Sequence, residues 1–350
     1  MPESRQRFLV FRLSSIGDIV HTLPAVAALG RAHPQAEIHW VVEDRFSDLL
    51  EANPFVSRVI KLDTLGWRKN PTSGKAMAEI MQGFQALREC QYDAAIDFQG
   101  LMKSAIFAWL SHSQKRIGLA WGSLREPLAA LLYTQRVSPK DRAHIIEINL
   151  SLVEALGAQS SNWEFPLPDH PRDREAVRAQ LQQLGIKDFI IVNAGGGWKS
   201  KRWAPENYAG LIAALAGRVP LDVLVTGPPQ EEDVAREILA RANVPCAKWF
   251  PSTLLQFVAL AREAKLLVGG DTGPLHLAAA VGTPIVALFN ASDPRNTPER
   301  NGPFNKADII LCGPRQAKPA GHSKHLNYLE GVSVDSVVKA AIQCLGTGNG

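Results

Sequence analysis

The chain of 350 residues is long enough for two ordinary domains, and its 46% apolar and 21% charged residues are those of a soluble globular protein with ample core. The net charge of +4 is mild, no run of about 18 apolar residues is present to span a bilayer, and the polar start before a short apolar stretch does not read as a signal peptide. Cys90, Cys246, Cys312 and Cys344 are scattered without metal or redox spacing, which indicates a reducing compartment; Cys312 with His322 and His325 lacks the further ligand that would complete a site, so no metal is expected.

In chain order, strand and helix patterns alternate. Strands are predicted at 8–13, 38–43, 58–62 and 94–98, and helices at 18–32, 75–89, 103–110 and 144–156. Continuous apolar strands between helices imply a parallel sheet covered on both faces. Residues 157–173 are polar and proline-rich and read as a linker. A helix at 175–184 then opens a second alternation, with strands at 189–193, 222–226, 266–268 and 285–289 and helices at 205–216, 231–241, 254–261 and 275–281. The amphipathic stretch 332–345 reads as a final helix, expected to pack back against the first domain. The fold class is therefore α/β, with two domains of similar size and a cleft between them. The two halves share a rhythm but no sequence repeat, so no duplication is inferred.

Charge is unevenly placed. Residues 58–140 hold 12 Lys/Arg against six Asp/Glu, a local +6. That excess is either a solvated basic face or a site for an acidic partner. Nucleic acid fits poorly, because the basic residues lack interleaved aromatics and no reader motif occurs.

In a parallel sheet, ligands gather at the carboxyl ends of strands and phosphates favour helix N-termini. Three loops of the second half obey that rule. The stretch Asn193-Ala-Gly-Gly-Gly-Trp-Lys-Ser-Lys-Arg-Trp203 joins three glycines, among them Gly196 and Gly197, to Lys199, Lys201 and Arg202. Glycine backbone and base together suit a phosphate or diphosphate; the competing reading is a solvated loop. In Thr226-Gly-Pro-Pro-Gln-Glu-Glu232, Glu231 or Glu232 either accepts from ribose hydroxyls or complements the helix dipole. In Val268-Gly-Gly-Asp-Thr-Gly-Pro-Leu-His276, Thr272 and Gly273 offer main-chain N–H groups, Pro274 suits a first helical turn, and Asp271 is either a cap or a ligand for sugar hydroxyls. His276 is either a further donor or structural.

The first half has one comparable loop, from Arg12 to Pro24. Ser15 and Asp18 have capping-box spacing, with Asp in the place of Glu; the sharper reading makes Asp18 a general base. There is no G-x-G-x-x-G, Walker A, G-x-S-x-G or H-E-x-x-H motif.

Together the motifs Ser14-Ser-Ile-Gly-Asp-Ile-Val-His-Thr-Leu-Pro24, Ile96-Asp-Phe-Gln-Gly-Leu-Met-Lys-Ser104, Arg125-Glu-Pro127, Lys201-Arg-Trp203 and Gly270-Asp-Thr-Gly-Pro-Leu-His276 resemble those of the family 9 glycosyltransferases. These are the bacterial heptosyltransferases of lipopolysaccharide core assembly, and the likeness is greatest to the heptosyltransferase I branch. The resemblance implies a GT-B fold: an acceptor domain over 1–165 and a nucleotide-sugar domain over 174–331, facing across a cleft, with 332–350 as a terminal helix. It implies metal-independent inverting transfer of heptose from ADP-heptose to Kdo-lipid A, without a cofactor, at the cytoplasmic face of the inner membrane and with peripheral membrane contact. Asp18 matches the catalytic base. Gly196, Gly197, Lys201, Glu231, Asp271, Thr272, Gly273 and His276 match the donor site, where this chain has glycines in place of hydroxyl residues before the lysine. Ser15, Trp67, Arg68, Lys69, Lys103 and Arg125 match the acceptor site, in agreement with the local positive charge. Rival readings are another transferase of the family with a different donor or acceptor, such as a heptosyltransferase II-like enzyme, a nucleotide-sugar epimerase on the same fold, which needs no acceptor, and a non-catalytic module that binds donor only.

Overall fold

The computed structural model describes residues 5–70, 73–141, 143–195, 203–290, 296–313, 329 and 331–347. Contacts divide the chain into two units, Met1–Pro168 and Asp169–Gly350.

The first unit runs β1 (Arg7–Phe11), α1 (Ile16–Ala32), β2 (Glu37–Glu43), β3 (Arg58–Leu62), α2 (Thr64–Lys69), α3 (Gly74–Arg88), β4 (Ala94–Asp97), α4 (Met102–Leu110), β5 (Lys115–Leu119), β6 (Gln135–Val137) and α5 (Ile145–Glu154). Its six strands are all parallel, in the order β3-β2-β1-β4-β5-β6. The second unit runs α6 (Pro171–Leu184), β7 (Phe189–Asn193), α7 (Pro205–Ala216), β8 (Asp222–Gly227), α8 (Glu232–Ala242), β9 (Ala247–Pro251), α9 (Leu254–Glu263), β10 (Leu266–Gly270), α10 (Gly273–Ala280), β11 (Ile285–Phe289), α11 (Pro298–Asn301), β12 (Ile309–Cys312) and α12 (Val334–Thr347). Its sheet is also parallel, in the order β12-β11-β10-β7-β8-β9.

Read from the first strand of each unit, both orders are the Rossmann order. In each sheet the chain reverses its direction of travel at the gap between the first and fourth strands: β1 and β4 in one unit, β7 and β10 in the other. A crevice at the carboxyl ends of those strands is where such sheets bind ligands. These strands are buried throughout apart from Arg7, as strands flanked by parallel neighbours and covered on both faces must be.

Helix α1 shows how the first site is fixed. It starts at Ile16, two residues earlier than the apolar pattern indicates, with Ser15 as N-cap and Asp18 at the third helical position. It is buried from Ile19 to Leu29, because α5 covers the side turned away from the sheet. Arg31 pairs through Nε and Nη2 with Glu164, and Asn53 Nδ2 donates to Pro166 O at 3.1 Å, so the proline-rich stretch is fastened to the first unit.

The final helix departs from expectation. Rather than returning to the first domain, α12 lays Val337, Val338, Ala341 and Cys344 into the core of the second unit, against α7 and the β10–β12 side of the sheet. The amphipathic face was legible, but the sheet it covers is the one directly preceding it in the chain. No helix among the described residues is long and apolar enough to cross a membrane.

Candidate functional site

In the first unit the β1–α1 turn presents Asp18. Its Oδ2 accepts from both the N–H and the hydroxyl of Ser15, each at 2.9 Å. Its Oδ1 lies 3.8 Å from Arg12 Nη1; the Arg12 side chain is 6% exposed and that of Asp18 41%. Burial pulls the guanidinium below its ordinary value, while Asp18 and Asp97 oppose that shift. Arg12 Nε donates to Thr22 Oγ1 at 3.2 Å, which fixes its fork beside the carboxylate. The capping and the chemical readings of Asp18 are therefore compatible. A carboxylate offers about four lone-pair positions, and Ser15 fills only part of them, leaving capacity to take a proton at a half-exposed position.

The turn is clamped from β4. Gln99 Oε1 accepts from Leu13 N at 3.0 Å and Ser14 N at 3.3 Å. Gln99 is itself placed by Asp97, whose Oδ1 accepts from the Gln99 and Gly100 amides at 2.9 and 3.1 Å. Asp97 Oδ2 accepts from Ser104 Oγ at 2.8 Å and Tyr133 OH at 2.7 Å. Burial pushes the Asp97 carboxyl above its ordinary value, against the opposing effect of these donors. Gly100 adopts a left-handed φ of 66°, and a Cβ there would press on Leu124. Residue type and spacing assign no role to Asp97 or Gln99; the one signal for them is their place in a motif at a strand end.

The expected acceptor residues fall into two groups. Lys103 Nζ donates to Thr64 Oγ1 at 2.6 Å and lies 3.5 Å from Glu43 Oε1, and the Thr64 hydroxyl donates to the same carboxylate. Thr64 opens α2, whose last turn carries the exposed Arg68 and Lys69. Exposed Arg125 adjoins α4, because the next residue, Glu126, accepts from Met102 N at 2.7 Å at the start of that helix. Trp67 also has structural contacts. It is half-buried against the core of the first unit, as is Phe84, and donates Nε1 to Glu79 at 3.2 Å.

In the second unit, Gly196, Gly197, Lys199, Lys201 and Arg202 lie outside the described residues, as do His322 and His325. Among the described residues no group of His, Cys, Asp or Glu is arranged to hold a metal ion. A narrow cleft opens at the ends of β7 and β8, with about 20 Å³ of free space inside it and about 290 Å³ when its solvent-filled mouth is included. Val225, Val234, Ala235 and Trp249 give it apolar walls, while Thr226 and Glu231 supply polar groups. Apolar walls with a few polar groups at a strand end are the usual make-up of a ligand-binding position. Asn193 braces the β7 end, donating Nδ2 to Thr226 O at 3.0 Å and accepting from Thr272 Oγ1 at 3.4 Å.

Beside it, Thr272 is the N-cap of α10 and Gly273 its first residue, both partly exposed at the mouth of a helix buried behind them. Asp271 does not point outward as a sugar ligand would. It is 4% exposed, with Oδ1 3.0 Å from His276 Nε2 and Oδ2 accepting from Asn296 Nδ2 at 2.6 Å. The carboxylate and His276 thus shape the turn, and Thr272 and Gly273 stand at a helix N-terminus, a position that favours anions. Asn193, Trp249 and Asn296 had no sequence signal strong enough to select them.

The chain matches the model of glycosyltransferase family 9 (heptosyltransferase) over residues 80–328. It is 30% identical to lipopolysaccharide heptosyltransferase 1 of Escherichia coli K12 over 315 residues, 89% of this chain and 94% of the other. It is 32% identical to the enzyme of the same name from Pseudomonas aeruginosa over 316 residues, covering 87% and 83%. Among solved structures it resembles E. coli heptosyltransferase WaaC with ADP, at a TM-score of 0.79 and 26% identity over 97% of this chain and all of that one. The fold is accordingly GT-B, built from two Rossmann-like units. With sheets, turns and sequence in agreement, the chain belongs to glycosyltransferase family 9, the heptosyltransferases.

Proposed function

We propose that the protein transfers heptose from ADP-heptose to Kdo-lipid A with inversion at the anomeric carbon and without a metal, at the cytoplasmic face of the inner membrane. The observation that carries this reading is the pairing of two switch-point sites of opposite character: a half-exposed carboxylate braced by Ser15 and Arg12 in the first unit, and an apolar cleft with a carboxylate beside a helix mouth in the second. Asp18 accepts the proton of an acceptor hydroxyl as its oxygen attacks the anomeric carbon. The bond from that carbon to the diphosphate breaks, and ADP leaves with the electron pair. Glu231 binds the ribose hydroxyls in the cleft. The amides of Thr272 and Gly273, with Lys201, Gly196 and Gly197, receive the diphosphate charge, an arrangement that lowers the barrier because the donors are already oriented. Asp271 and His276 hold that turn in shape. Arg68, Lys69, Lys103 and Arg125 attract the anionic inner core, while Ser15 orients the base. The names of the relatives and the ADP bound by WaaC support donor and pathway alike.

Replacing Asp18 by Asn removes the proton acceptor but keeps the shape of the side chain. Transfer should fall by about 10²–10⁴-fold while ADP affinity, measured by calorimetry, stays that of the wild type. Retained transfer would remove Asp18 from the chemistry.

A further inference from the structure

Among the described residues most of the exposed large apolar side chains lie on the first unit, and five of them belong to α4 and the short helical turns after β5. The turn Pro127–Leu132 buries Ala129 and Ala130 against Ala105 of α4, but leaves Leu128 and Leu131 each 60% exposed. Those two leucines are three residues apart on a 3₁₀ turn, so they project side by side. On α4, Ile106 and Trp109 are also three residues apart and exposed, next to the face that Ala105 presents to the turn. Trp121, on the neighbouring turn Trp121–Ser123, is exposed too. Each element has already buried its small residues, so these bulky ones are surplus to the core.

The charge along this part of the chain is mostly of one sign. Residues 103–140 contain six Lys/Arg and a single acid, Glu126. That acid is engaged at the start of α4, on Met102 N. Arg116 and Arg136 donate Nε to the carbonyls of Leu132 and Ala130, which holds two guanidinium groups at the leucine-bearing turn. Lys115 and Arg125 are exposed nearby. A protein partner would have to match apolar surface with acids. A bilayer of anionic lipid supplies both without design: leucine and tryptophan sit at the headgroup level while Lys and Arg meet the phosphates.

We infer that the turn Pro127–Leu132, with the outer face of α4 and Trp121, is an interfacial surface by which the first unit docks on an anionic membrane. The choice of a bilayer over other anionic partners draws on the proposed lipid-borne acceptor, yet vesicles without acceptor or donor test it separately from transfer.

The full chain should sediment with vesicles of phosphatidylcholine containing about 30% phosphatidylglycerol, much less with phosphatidylcholine alone, and less at high salt. The double variant Leu128→Glu/Leu131→Glu should partition at least about tenfold more weakly, with an unchanged circular dichroism spectrum and thermal midpoint. Trp121→Ser, a smaller change, should weaken binding in the same direction if the double variant folds poorly. The double variant should still use a deacylated, water-soluble acceptor. Wild-type levels of vesicle binding by both variants overturn the inference. So does absence of binding by the wild type, or a dimer in sedimentation velocity that the double variant dissolves while vesicles capture neither.

Discussion

Glu231 reaches the cleft only because two glycines leave it room. A Cβ on Gly195 would overlap its carboxylate, and one on Gly227 would lie 2.6 Å from Oε2. The obstructed atoms are the free end of a flexible side chain, so an added methyl displaces Glu231 without straining the backbone. Gly195→Ala should therefore leave the thermal midpoint nearly unchanged but weaken ADP binding about tenfold, the worth of one charged hydrogen bond; unaltered affinity would separate Glu231 from the nucleotide. At this scale residue type and strand end together single out Asp18, Glu231 and the Thr272–Gly273 turn as candidates, and each does follow the carboxyl end of a strand. Orientation was not legible in the sequence. Asp271 sits in a turn that suits a ligand, yet it faces inward because Asn296, 25 residues downstream, donates to it. Local spacing contains no information about that partner. Trp67 similarly turns to Glu79 and the core, contacts that depend on how α2 meets α3.

The element that positions the proposed base is the β4–α4 connection. Asp97 gathers four donors at one buried point, and through Gln99 it clamps the turn that carries Asp18. Asp97→Ala leaves those donors unmatched and should cost about 2–4 kcal/mol of stability, since each buried unmatched group costs about 1–3 kcal/mol. Asp97→Asn should cost roughly half as much, because its remaining oxygen still serves the Gln99 and Gly100 amides and the two hydroxyls can turn to accept from its amide. Chemical denaturation orders the three proteins; equal losses in both variants would show that the carboxylate's charge, not its hydrogen-bond geometry, is required. The central strands could be read because they are unbroken apolar runs. Of the four edge strands, β3 could be read from its alternating apolar residues, whereas β6, β9 and β12 could not, and neither could β5. Their burial is partial and their residues mixed, as in Lys115–Leu119 and Gln135–Val137, so neither the continuous nor the alternating signature survives. Helix α2, at six residues, is too short for a helical period to register.

At the scale of the whole molecule, the same strand order occurs twice without a matching sequence repeat. Parallel sheets constrain which positions are apolar and where glycine ends a strand, while leaving side-chain identities free, and that is why the shared rhythm was visible and the shared topology was not. The order is the same in both units, so the division of labour proposed above rests on the residues at each switch point. Each unit has one switch point; the first holds the half-exposed Asp18 beside Arg12, the second a narrow apolar cleft beside the N-terminus of α10. A modest net charge of +4 conceals a local excess over residues 58–140, where the anionic acceptor and the membrane surface would meet the protein. The reading that joins these features is sugar transfer between a soluble donor and a lipid-borne acceptor. It is tested most directly by following radiolabel from ADP-heptose in three parallel reactions: with Kdo-lipid A, with Kdo-lipid A that already carries a heptose, and with no acceptor. Label should pass to Kdo-lipid A alone, with one ADP released for each sugar moved; turnover of ADP-heptose without acceptor, or label found only on the heptosylated acceptor, would contradict the assignment.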